Sequence, residues 1–246
     1  MSIRARRTNQ WRTAVVISTA ALLGLGLAAG GVTPQDVYTP PPLSSPLLGT
    51  IPLERATSVE ERLAGAKKIL RLPGGAVYID ADMDIDADGS PNARQLDPQF
   101  GRLTTSFNFP GQVRQARFVN AESVPYIALP GNNRRPAERF FRRMGLAVGD
   151  IAAVIYRDKM EFALFADVGD PDKIGEGSIA LAQSLGHDPF VIRDGRRIVG
   201  RSIPGDVIYI VFPGSRPAGL TPANVLGRVR ERGRQLFTAA GGRLTP

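Results

Sequence analysis

EFALFADVGDPDKIGEGSIALAQSLG, residues 161–186, decides how this chain is read. The apolar run 162–166 ends on Asp167. A Gly/Asp/Pro turn follows, then Ile174-Gly175-Glu176, then Ile179, Ala182 and Leu185 at helical spacing. The pattern predicts a strand, a turn and a helix, with one carboxylate where the strand ends and another where the helix begins. Side chains at such places converge on clefts, where a rigid scaffold fixes their separation. Each acid also fits a plainer part, as a helix cap or a partner of the positive helix end. The segment alone leaves both readings open.

Working outward, short apolar runs punctuated by Gly, Pro, Asp and Asn predict strands at residues 76–79, 117–120, 126–129, 151–156, 160–166, 190–192 and 207–212. Arg157-Asp158 is a tight link between two of them and predicts a hairpin. VEERLAGAKKIL, residues 59–70, reads as a helix with Ser58 as its cap. A last helix follows Thr221 and Pro222, carries Val225, Val229, Leu236 and Phe237 on one stripe, and stops at Gly241-Gly242. Many short strands with a few helices predict a mainly β fold with α additions, a small closed barrel.

The ends of the chain read differently. Arg4, Arg6, Arg7 and Arg12 precede an uncharged apolar stretch that closes on small residues, so residues 1–30 are expected to be a signal peptide or an N-terminal anchor. Residues 31–52 are rich in Pro and Ser and read as a tether. Residues 53–246 remain as one domain, long enough for a full core. The Cys count of 0 excludes disulfides, a thiol nucleophile and a lipid anchor on Cys. This composition suits a secreted or periplasmic protein stabilised by packing, touching a membrane only through an uncleaved N-terminal segment.

The net charge of +8 is unevenly spread. Acids crowd residues 78–100 and 158–188, whereas bases gather at residues 134–143 and 228–243. No aromatic interleaving accompanies the basic clusters, so they read as solvated faces and no nucleic-acid partner is expected. DMDIDADG, residues 82–89, begins like a calcium loop counted from Asp84, but its twelfth position is Gln95 where a bidentate Glu is required. His187 is the single histidine, and no Gly-x-Ser-x-Gly elbow exists to build a triad around it. Without Cys or a second His, no metal site and no cofactor are expected.

Five stretches together resemble the fungal-type chitosanases of glycoside hydrolase family 75. They are DMDIDADG (82–89), VPYIALP (124–130), GDIAAVIY (149–156), residues 167–186 and VIYIVFPGS (207–215), in the family's order. Two positions depart from it: Ala87 stands where the family commonly has Cys, and Asp170 separates Gly169 from Pro171. The resemblance implies an endo-acting hydrolase that cuts β-1,4 bonds of chitosan with inversion, its two essential acids falling on Asp167 and Glu176. The order from Gly149 to Gly186 is also similar to the double-psi barrel of family 45 endoglucanases and rare lipoprotein A. The expected fold is therefore a closed six-stranded double-psi β-barrel with N- and C-terminal helices.

Chitosan is a polyamine, so its cleft should be locally acidic. Asp82, Asp84, Asp86 and Asp88 are expected to line it, with Tyr126 and Tyr78 as candidates for stacking on sugar. An inverting reaction needs one carboxylic acid to protonate the glycosidic oxygen and an opposed carboxylate to activate water, roughly 6.5–9.5 Å away. Glu176 is expected as the acid and Asp167 as the base, although a helix start would favour a charged Glu176. A peptidoglycan-cleaving enzyme and a non-catalytic glycan-binding module are the rival readings.

Overall fold

The computed structural model describes residues 48–131 and 139–245. The expected signal or anchor, most of the tether and part of the basic cluster at 134–143 lie outside them. The elements in chain order are β1 (Leu48–Thr50), β2 (Thr57–Ser58), β3 (Ala66–Arg71), β4 (Val77–Asp86), α1 (Ala93–Leu96), β5 (Tyr126–Pro130), α2 (Phe140–Arg143), β6 (Ile151–Tyr156), β7 (Lys159–Gly169) and β8 (Glu176–Ser178). They continue with α3 (Ile179–Ser184), β9 (Phe190–Arg193), β10 (Arg196–Val199), β11 (Ile203–Phe212), α4 (Val225–Ala239) and β12 (Arg243–Thr245).

Six strands close a barrel in the order β4, β11, β6, β7, β5, β8 and back to β4. Two of its pairings, β4 with β8 and β5 with β7, are parallel, and the rest are antiparallel. Closure satisfies the backbone groups an open edge would leave unpaired. Alternation along the strands sorts the apolar residues into two cores. Ile79, Ala81 and Met83 of β4, Val154 of β6 and Phe165 of β7 share one core with Leu181 of α3 and Leu185 just after it, filling the lumen. Phe162 and Leu164 of β7 instead join an outer core under Val225, Val229 and Phe237. There Arg230 of α4 donates to the fully buried Glu161 of β7 at 2.6 Å.

The β6–β7 hairpin turns at Arg157-Asp158 as expected, with Arg157 in the left-handed region at φ 54°. The C-terminal helix also forms. The helix expected at residues 59–70 does not: Ala66–Arg71 is a strand paired with β4. Its side chains alternate, Ile69 entering the lumen core and Leu70 the outer one, so burial on both faces overrides local helix propensity. Gly65, at φ 86° and pressed against the Ile174 carbonyl, would have broken a helix there in any case. The strand expected at 117–120 is a 3-10 turn at Arg114–Arg117 followed by a single bridge from Phe118 to Asn108. β1 pairs with β12, so ordered structure reaches into the stretch expected as tether.

Candidate active site

Ala128 of β5 is the register partner of Asp167 on β7 and also of Glu176 on β8. Register partners on adjacent strands share a face. Both carboxylates therefore rise from one side of the sheet, flanking a methyl group too small to come between them. Two strand spacings place their Cα atoms about 9–10 Å apart. Asp84 of β4 is in turn the partner of Glu176, which extends the row across four strands.

Asp167 joins this row because β7 carries a bulge. Phe165 pairs with Ile127 and Asp167 with Ala128, leaving Ala166 extra. Phe165 packs in the lumen and Ala166 in the outer core. Unbroken alternation would send Asp167 inward after Phe165; the added residue turns it outward. Glu176 needs space as well. A Cβ on Gly169 would run into its carboxylate, so glycine there keeps the floor open.

The long excursion between β4 and β5 folds over the row. Asp167 Oδ1 accepts from the Ser106 hydroxyl at 2.7 Å, the Ser106 N–H at 2.9 Å and the Val168 N–H at 2.8 Å. Asp88 Oδ1 accepts from the Arg102 N–H at 2.6 Å, and Asp86 Oδ1 from the Asp88 N–H at 2.7 Å. The resulting cleft, of about 680 Å³, is lined by Asp86, Asp88, Asp97, Asp167, Asp170 and Glu176, with Arg102 as its only base among the described residues. A chain that is basic overall thus presents a locally acidic groove, suited to a polyamine.

Crowded, part-desolvated carboxylates resist ionisation. Burial, then the charges of Asp167, Asp88 and Asp84, push Glu176 up to about 7 against the pull of Lys173. Burial also lifts Asp88 to about 7, opposed by its hydrogen bond from Arg102. Asp86 is raised well above the ordinary range by burial and then by Glu176, Asp88 and Asp167. Asp167 is raised by burial too, but the Ser106 and Val168 donors work against the rise. Glu176 thus keeps its proton up to about neutrality, while the donors on Asp167 favour its charged form and oppose the rise that burial causes. General acid–base chemistry across a glycosidic bond asks for this division.

Residues 83–244 match the family described as fungal chitosanase of glycosyl hydrolase group 75. The chain belongs to this family. Among curated proteins none matches it. It is accordingly a glycosidase of chitosanase type, acting on a polysaccharide of that class.

The other expected positions fare unevenly in this chitosanase. Asp86 and Asp88 line the cleft beside Asp167 and Glu176. Asp82 does not: it sits under Gly65 and Gly175, with a buried Oδ1 that has no hydrogen-bond partner among the described residues. Asp84 is paired with Lys173 and lines an adjoining groove. Because Asp84 and Asp86 belong to a strand, the calcium-loop geometry does not form. Asp86, Asp88 and Asp167 nonetheless each bring an oxygen within 4.8 Å of the others. Tyr126 is fully buried, its hydroxyl donating to the Asp88 carbonyl at 3.0 Å, so it braces the site and cannot stack on sugar. Tyr78 is buried as well.

Glu176 also differs from expectation. It lies on β8, and Ser178 caps α3 by accepting from the Leu181 N–H at 3.1 Å. The helix end therefore does not set the ionisation of Glu176; burial does. Three cleft residues escaped the sequence reading: Ser106, Arg102 and Phe100. Nothing in the sequence marks the first two, whereas a lone aromatic in the polar run DPQFG marks Phe100.

Proposed function

We propose that the enzyme cuts β-1,4 bonds within chitosan by an inverting mechanism, with Glu176 as general acid and Asp167 as general base. The shared partner Ala128, which sets the two carboxylates across one acidic groove, is the observation that carries this reading. Glu176, raised to about 7, holds a proton for the glycosidic oxygen. Asp167, oriented by Ser106 and Val168, takes a proton from a water that attacks the anomeric carbon from the opposite face. Asp88 and Asp86 ionise beside substrate ammonium groups, whose positive charge offsets the crowding that raises the two carboxyls. Residues 1–30 direct export of the domain and 31–47 tether it, and no helix among the described residues is long and apolar enough to cross a membrane.

Purified residues 31–246 are assayed for new reducing ends on chitosan, cellulose and peptidoglycan. The expected result is release from chitosan with a rapid fall in viscosity, and an α-anomeric product first seen by NMR. Release from peptidoglycan alone, or a β-anomer appearing first, refutes the reading. An aryl glycoside with a good leaving group should rescue Glu176→Ala and leave Asp167→Ala inactive. Rescue of Asp88→Ala instead would move the acid to Asp88, which also titrates near 7.

A further inference from the structure

We propose that the acidic cleft continues into a second sugar-binding groove, and that Phe100 is the aromatic platform where the two meet. The inference rests on the glycosidase reading above and extends it to how a long substrate is held. A cavity of about 560 Å³ adjoins the cleft on the β4 side. Asp97, Phe100 and Ile85 line both. Phe100 is 69% exposed. Single exposed apolar residues are ordinary, but this one stands on the shared wall of two adjoining cavities. Among the described residues its ring meets no other ring and no cation.

Its loop is built to hold it there. Asp97 Oδ1 accepts from the Gln99 N–H at 3.2 Å and the Phe100 N–H at 3.1 Å. The Gly101 N–H donates back to the Asp97 carbonyl at 2.9 Å. A Cβ on Gly101 would collide with the Ala93 carbonyl, so the loop lies tight against the first residue of α1. A loop backbone held this way loses little freedom on binding. Pyranose rings carry an apolar C–H face that an aromatic face covers, burying both.

The second groove differs in charge from the first. Its Asp84 is paired with Lys173, Arg201 lies 3.7 Å from Asp188, and Arg193 neighbours Asp194. These offsetting charges give no pull on ammonium groups comparable to that of the cleft. Sugar is held there by stacking and neutral hydrogen bonds.

The test measures binding of a glucosamine hexamer and a glucosamine dimer by calorimetry in an Asp167→Asn background, with and without Phe100→Ala. Losing one covered aromatic face should weaken hexamer binding about five- to tenfold, leave the dimer within twofold, and be restored by Phe100→Trp. In the active enzyme the same change should raise KM on the polymer and leave kcat in place. Equal loss on dimer and hexamer, unchanged hexamer affinity, or no binding at all overturns the platform. A wild-type protein that binds the hexamer through Phe100 yet never cleaves chitosan upholds the platform and sinks the hydrolase reading alone.

Discussion

Replacing Glu176 by Gln should stabilise the folded enzyme at pH 8, although it removes a residue proposed to be essential. The folded protein holds the Glu176 carboxyl at about 7 against an ordinary 4.5, so keeping it charged at pH 8 costs the fold roughly 3 kcal/mol. The sign follows from proton counting. Between about pH 4.5 and 7 the folded state binds more protons than the unfolded chain, so stability falls as pH rises through that window. Glutamine keeps the shape, loses the charge and also relieves Asp86, whose carboxyl is raised by burial and then by the Glu176 charge. Wild-type relaxation and proton sharing with Asp88 recover part of the cost, so the expected gain is about 1–3 kcal/mol. For a domain this size that corresponds to about 2–4 °C in Tm per kcal/mol. Urea denaturation of both proteins at pH 8 and pH 4 reads it directly. The gain should be present at pH 8 and nearly gone at pH 4, where the wild-type acid is mostly neutral in both states. A glutamine variant no more stable than wild type at pH 8 would refute the electrostatic account of the site.

Removing the Ser106 hydroxyl in Ser106→Ala takes a donor from charged Asp167, so its pKa should rise further. The acid limb of the pH–rate profile should move up by about one pH unit, with the alkaline limb in place; an unmoved acid limb counts against Asp167 as the base. Gly169→Ala would push a methyl into the Glu176 carboxylate and should cut kcat at least tenfold, with circular dichroism unchanged. Arg230→Ala strands Glu161, which has no solvent exposure, and should destabilise the protein by about 3–5 kcal/mol in urea titrations. A loss below about 1 kcal/mol would mean that this pair does not secure α4 to the barrel.

The two facing acids were legible because each sits where periodicity changes, and element ends are where side chains escape the core. Their meeting was not. It depends on the extra residue at Ala166 and on Ala128, which is 39 residues upstream of Asp167 and joins both carboxylates through strand pairing. No local pattern encodes a bulge, and strand registers of this kind are set by tertiary closure. The Asp82-to-Asp88 run read as one acidic lining, yet a strand that ends midway sends its members to different places. Asp86 and Asp88 reach the cleft, Asp84 pairs with Lys173, and half-buried Asp82 lies against the Gly65 and Gly175 backbone. Residues 59–70 failed for a related reason, since a short apolar pair such as Ile69-Leu70 serves a two-sided strand as well as a helix. Tyr126 misled because an aromatic beside acids suggests sugar, whereas here its ring belongs to the outer core.

The pairing of Leu48–Thr50 with Arg243–Thr245 joins the two ends of the domain to each other. Anything genetically appended at either end would leave from one shared doorway. A linker of a few residues could weld the ends and new termini could be cut elsewhere, for instance at the Arg157-Asp158 hairpin, giving a permuted enzyme whose cleft strands keep their neighbours.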